Sequence, residues 1–196
     1  MIIIHNYFAA ISLTIVAMIA WGSWANTQKI AEKNWRFELY YWDKVIGIVL
    51  MSLIGAFTIG SLGSEGRSFL TDISQANTRS IFQAMLGGVL WNAGNLLLVA
   101  AIATAGISVA FPIGGGIAWI VGIMFNYIVI LMDDKVPSEK PLLLWMGVAV
   151  IIIAILLNGR AYRGLSKVKQ KPSLRGIMLS VMGGLFIAFF YGFVAK

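Results

Sequence analysis

Two long tracts of the chain, Met1 to Gln28 and Ser80 to Met132, contain no Asp, Glu, Lys or Arg, and the charges gather between shorter apolar runs elsewhere. The apolar segments run approximately from Tyr7 to Thr27, Phe37 to Leu62, Ser80 to Ala105, Ile107 to Met132, Pro141 to Asn158 and Leu174 to Ala195. A helix crosses the hydrocarbon layer in about 20 residues, so the second uncharged tract holds two passes with a tight turn between them. Barrel strands alternate apolar and polar over about ten residues, whereas these runs stay apolar for about twice that length. Lipid offers no partners to backbone N–H and C=O groups, and helices close those bonds internally. The pattern predicts an all-α polytopic membrane bundle of six transmembrane helices.

Charge placement then sets an orientation. Lys29, Lys33 and Arg36 follow the first span, and Arg160, Arg163, Lys167, Lys169, Lys171 and Arg175 follow the fifth, on the same side. The opposite side carries Arg67 and Arg79 in one loop and Asp133, Asp134, Lys135, Glu139 and Lys140 in another. The positive-inside rule places the N-terminus outside, in a multi-pass protein expected at the plasma membrane. Trp35, Phe37, Tyr40, Tyr41 and Trp42 form an aromatic belt at the start of the second span. The first span is too long, and too poor in basic residues before it, for a cleaved secretory signal.

Composition agrees: 59% of the 196 residues are hydrophobic and 12% charged, against about half and a quarter in soluble domains. In a soluble protein the net charge of +7 would point to nucleic acid, but the loops that carry it here serve topology, so no nucleic-acid partner is expected. Cysteine is absent, which removes disulfides, thiolate metal sites and thiol nucleophiles. His5 is the one histidine and sits in the apolar N-terminal tail. Without a second histidine, an HExxH string or a carboxylate pair within one span, the chain is read as no enzyme, with no metal or cofactor.

Polar residues within spans are costly unless they face a bundle interior or a watery cavity, which makes them candidates. In the third span Gly88, Trp91, Asn92, Asn95 and Val99 fall within about 100° of helical arc, so two carboxamides and an indole share a stripe. Carboxamides both donate and accept, which suits neutral solutes bearing hydroxyl, urea or lactam groups; they also serve as hydrogen-bonding glue between helices. In the fourth span Pro112, Gly116, Trp119, Ile123 and Asn126 share one face, and Gly114, Ala118 and Gly122 form a separate small-residue stripe for close helix approach. The string FPIGGG joins a missing backbone donor to three flexible residues, predicting a kink or unwound stretch. Pro112, Gly114, Gly115 and Gly116 are thus hinge candidates for alternating access, or ordinary membrane-helix residues. The first span ends in WGSWANTQK, with Trp21 and Gln28 on one side, Ser23 and Thr27 on another, and Asn26 between. Glu38 and Asp43 open the second span and are candidates for proton coupling, or else solvated carboxylates at the boundary.

At WGSWANTQK, WRFELYYWDKVIG, GGVLWNAGNLLLVAAIATAG and ISVAFPIGGGIAW the chain resembles the ureide permease branch of the drug/metabolite transporter superfamily, with glucose, ribose and rhamnose porters as more distant relatives. The resemblance covers essentially the whole chain. It implies ten helices in two inverted five-helix units around a central solute site, and import of ureides, nucleobases or sugars, plausibly with protons. SVMGGLFIAFFYGFVA resembles the first helix of the second unit. The implied organisation is a five-helix repeat over residues 1–163, a basic cytoplasmic linker over 164–172 and the first helix of a second repeat over 173–196. On this reading the chain is a fragment of a ten-helix protein, or two copies associate to complete the site. The resemblance carries Trp21, Ser23, Asn26, Gln28, Trp91, Asn92 and Asn95 as solute-binding candidates, and Pro112 with Gly114, Gly115 and Gly116 as the hinge; Trp119 and Asn126 join the solute-binding candidates by their shared face.

The function expected is a secondary permease for a small polar solute embedded in the lipid bilayer, with Asn92 and Asn95 bonding the solute and Trp91 walling it. The alternatives are a drug or metabolite exporter of the same superfamily and a non-transporting membrane assembly or regulatory subunit.

Overall fold

The computed structural model describes residues 2–31, 35–132, 141–165 and 173–194. Every regular element among them is an α-helix: α1 (Tyr7–Ala31), α2 (Phe37–Phe57), α3 (Phe69–Gln75), α4 (Thr78–Ala105), α5 (Ile107–Met132), α6 (Pro141–Leu165) and α7 (Leu174–Val194). All except α3 contain a stretch long and apolar enough to cross a membrane, the shortest of 21 residues. That length spans about 30 Å, the thickness of the hydrocarbon layer. The six expected spans are therefore the six long helices. Lys33, the loop from Asp133 to Lys140, and Lys167, Lys169 and Lys171 of the expected linker lie outside the described residues.

Local chemistry fixes the helix ends. The Asn6 carboxamide accepts from the backbone N–H groups of Phe8 at 2.9 Å and Ala9 at 3.2 Å, capping α1. The Ser173 hydroxyl accepts from the Gly176 N–H at 3.0 Å and caps α7 in the same way. Pro141 stands first in α6, where its missing N–H would have had no intrahelical partner. Between α4 and α5 lies the single residue Gly106, at φ +80°. Its N–H donates to Ile102 O at 2.9 Å, and its carbonyl accepts from Ala110 N at 3.0 Å, so one residue ends one helix and starts the next. α2 stops at Phe57, short of Leu62: the Thr58 hydroxyl turns back onto Ile54 O, and the chain bends into the loop that leads to α3. The short helix α3 has no counterpart among the expected spans.

The chain groups into two compact units, Met1–Thr78 and Arg79–Lys196. In the first, α1 and α2 form a hairpin. The Thr27 hydroxyl donates to Trp24 O at 2.6 Å, and the Tyr40 hydroxyl lies 2.8 Å from Thr27 Oγ1. At the other end of the hairpin Ile2 N donates to Ile59 O at 2.8 Å, His5 Nε2 lies 2.8 Å from Glu65 Oε2, and the Phe57 and Phe69 rings meet edge-to-face with centroids 5.4 Å apart. Most large apolar side chains of α1 and α2 are exposed, Ile19 at 64% and Met51 at 67% among them, a surface that only lipid or protein can cover.

In the second unit α7 packs between α4 and α5 through small residues. It runs antiparallel to α4, with Gly176 beside Ala105, Gly183 beside Gly94 and Val194 beside Gly87. It runs parallel to α5, with Gly184 beside Gly114, Ala188 beside Gly122 and Gly192 against the Phe125 ring. Within lipid, apolar side chains gain little by leaving one hydrocarbon for another, so close backbone approach and dispersion hold helices together. Glycine permits that approach. The side chains of Leu98, Val99, Ala101, Ile102, Ala110, Ile187 and Ala188 are buried around these contacts. α6 covers another side of α5, with Ile155 against Gly116 and the Tyr127 and Trp145 rings 5.2 Å apart.

Candidate functional site

The polar stripe of α4 divides on folding. Asn95 is buried at 3% exposure and Val99 is fully buried, Trp91 is half-buried, and Asn92 and Gly88 are exposed. Burial turns on about 100° of arc: Gly94 faces α7, Asn95 lies one step round from it, and Asn92 sits beyond the contact. The Asn95 Nδ2 donates to Trp91 O at 2.8 Å, one turn back. Asn126 makes the equivalent bond on α5, from Nδ2 to Gly122 O at 2.9 Å, and is half-buried. Both candidate carboxamides are thus folded against their own helix in the form described here.

Helix α5 is continuous through Pro112, so the unwound stretch expected at FPIGGG does not occur. Pro112 sits in the second turn, where its ring removes a single backbone donor and the bonds on either side persist. The two faces expected on this helix are present and have different neighbours. Gly114 and Gly122 meet α7, while Pro112 and Gly116 lie toward Gly159 and Ile155 of α6; Gly115 has open space where a side chain would be. Trp119 is 51% exposed.

In the first unit Gln28 is fully buried, whereas Trp21, Ser23 and Asn26 are exposed. The Ser23 hydroxyl donates to Ile19 O at 2.7 Å. Glu38 takes Arg36 Nη2 at 3.1 Å in the first turn of α2, where a carboxylate also complements the helix dipole. Asp43 is exposed. A further contact joins the two helices of this unit: the Lys44 ammonium stands 3.7 Å from the centre of the Trp24 ring and 5.8 Å from that of Tyr41. Trp24, Thr27 and Gln28 share one side of α1 by their spacing, as do Tyr40, Tyr41 and Lys44 on α2. Sequence reasoning overlooked Lys44, although a lysine inside a span, three and four residues after two tyrosines, was the available signal. Among the described residues no group of three His, Asp or Glu side chains is placed to hold a metal ion.

What the arrangement offers is two hydrogen-bonding carboxamides on adjacent helices of one unit and a cationic, aromatic cluster in the other, set in surfaces that are otherwise apolar.

The chain is 32% identical to ureide permease 2 of Arabidopsis thaliana over 167 residues, 83% of this chain and 41% of that protein. It is 29% identical to ureide permease 3 of the same plant, over 90% of this chain and 50% of that protein, and 31% identical to probable ureide permease A3 of Vigna unguiculata, over 80% and 41%. The chain spans half or less of the length of these relatives. No solved structure matches it. The family model for ureide permeases matches residues 40–172, from within α2 to beyond α6. The chain, a multi-pass membrane protein, belongs to the ureide permease family.

Proposed function

We propose that this chain acts in a secondary transporter that takes a ureide, or a nucleobase or sugar of similar polarity, across the plasma membrane. The single observation that carries the reading is Asn95, a carboxamide buried to 3% exposure on an apolar membrane helix, one turn from an indole. Polar side chains within spans mark solute paths, and together with the family this placement supports a small polar solute as what Asn95 meets. The Asn95 amide can accept from a ureido N–H and donate to its carbonyl, and the Trp91 ring beside it suits a planar face.

Asn92, Asn126, Trp119, Trp21, Ser23, Asn26 and Gln28 are further members of the solute path in this reading. Five spans precede α7, so a unit that begins with α7 enters the membrane opposite to one that begins with α1, as in inverted-repeat transporters. The first repeat occupies residues 1–163, the linker 164–172, and α7 opens the second, with the N-terminus outside. Pro112 and the adjacent glycines let α5 bend during alternating access, and Glu38 or Asp43 relays the proton in solute uptake.

The test is uptake of labelled ureides, pyrimidines, hexoses and pentoses by cells that express the gene, with and without a proton gradient. Saturable uptake of a ureide that falls when the gradient is collapsed supports the reading. Export of lipophilic cations, or no flux of any solute in a protein that crosslinks to an unrelated partner, overturns it.

A further inference from the structure

Lys44 is the eighth residue of α2, about 10 Å in from the helix start, which is deep for a cation that has only to reach the headgroups. Its ammonium does not simply extend toward the helix end. It lies over the face of Trp24, 3.7 Å from the ring centre, with Tyr41 at 5.8 Å. Next to this stack the Tyr40 hydroxyl lies 2.8 Å from Thr27 Oγ1, and Gln28 sits one turn beyond Trp24 on the same side of α1, fully buried. A point charge with three donors, an indole face, a hydroxyl pair and a carboxamide therefore share one hairpin.

That set of groups matches one chemistry. A flat solute with a polarised carbonyl would stack on the indole as the ammonium moves aside, and the ammonium would donate to the carbonyl oxygen in a charge-assisted bond. The ring's attraction for the cation holds Lys44 ready when no solute is present. A lysine suits the task because its donors rotate on a flexible stem, whereas the arginine fork prefers a paired oxyanion. We propose that Lys44, held on Trp24, is a specificity-determining contact for the carbonyl oxygen of a planar ureide or lactam. The inference rests on the transport reading above and extends it from the carboxamides of α4 and α5 to the α1–α2 hairpin.

Two measurements test it in membranes of cells expressing the gene. The first is the concentration dependence of ureide uptake in Lys44→Met, Lys44→Arg and Trp24→Leu, each corrected for its amount at the surface. Loss of one charge-assisted hydrogen bond should raise KM in Lys44→Met by about tenfold to a hundredfold, with the maximal rate per molecule little changed. Lys44→Arg keeps the charge and should raise KM less. The second is the rate at which an amine-reactive reagent modifies Lys44, read by mass spectrometry with and without saturating ureide; the solute should slow it. If the wild type takes up no ureide, the transport reading fails, and the protection measurement still decides the contact. An unchanged KM in Lys44→Met, or a variant set in which only surface amount varies, marks Lys44 as a headgroup anchor and overturns the proposal. Equal modification rates with and without ureide overturn it as well.

Discussion

Gly94 and Gly183 meet reciprocally: a Cβ added to Gly94 would lie 2.8 Å from the carbonyl oxygen of Gly183, and a Cβ added to Gly183 would lie 2.8 Å from that of Gly94. Both obstacles are backbone atoms, which cannot swing away as a side-chain tip can. The closeness of α4 and α7 thus depends on two missing methyl groups. Gly94→Val or Gly183→Val should push the helices apart and cost about 1–3 kcal/mol, the usual range for overpacking. Gly88→Ala, with nothing within 4 Å of the added carbon, should be neutral. Thermal unfolding in detergent compares the three variants, and equal stability of all three would refute the contact.

Ser180 gives a second test of the same packing. It is fully buried and its hydroxyl donates to Gly176 O at 2.9 Å within α7, while its own carbonyl oxygen lies 3.0 Å from where a Gly114 side chain would begin. Ser180→Ala removes only an intrahelical bond and should lower stability by no more than about 1 kcal/mol. Gly114→Leu should cost at least twice as much, about 2–3 kcal/mol, since it presses on both Leu98 and α7.

The hairpin of the first unit is pinned by hydroxyls. Tyr40→Phe removes the contact with Thr27 and should destabilise the α1–α2 hairpin by about 1 kcal/mol. Trp42→Phe, on a side chain 67% exposed, should have no measurable effect on it. Limited proteolysis of the two variants in membranes reads the difference.

The spans were legible because lipid imposes one simple requirement, long uncharged helices, and charge marked their borders. α5 is the clearest case: expected from Ile107 to Met132, it occupies those residues. The turn was expected as a short uncharged connection around Thr104, Ala105 and Gly106; it is narrower, the single residue Gly106 at positive φ, which a residue without a side chain adopts readily. The small-residue stripe of Gly114 and Gly122 showed where a helix would approach, though its partner α7 could not be named from spacing. The candidate site was harder to read. Asn92 and Asn95 share a stripe in projection, but burial depends on where the neighbouring helices sit, and Asn95 is buried while Asn92 is exposed. The Lys44 and Trp24 pairing joins two helices through side-chain reach, which periodicity along either helix does not encode. α3 escaped notice because seven residues of mixed polarity carry no membrane signal.

The orientation has a direct test because the chain contains no cysteine, so single cysteines can be placed without removing others. Ser64→Cys, in the exposed loop after α2, should react with an impermeant maleimide on intact cells. Ser173→Cys, at the start of α7, should react only after the cells are opened. The reverse pattern would place the N-terminus inside.

The most direct test of the central claim, that a buried carboxamide of α4 binds the transported solute, is the concentration dependence of ureide uptake for Asn95→Leu beside Asn92→Leu at matched surface amounts. The account predicts saturable uptake by the wild type, a KM raised by about tenfold or more in Asn95→Leu, and a smaller change in Asn92→Leu. Uptake by Asn95→Leu indistinguishable from wild type, or no saturable ureide uptake by the wild type itself, would contradict it.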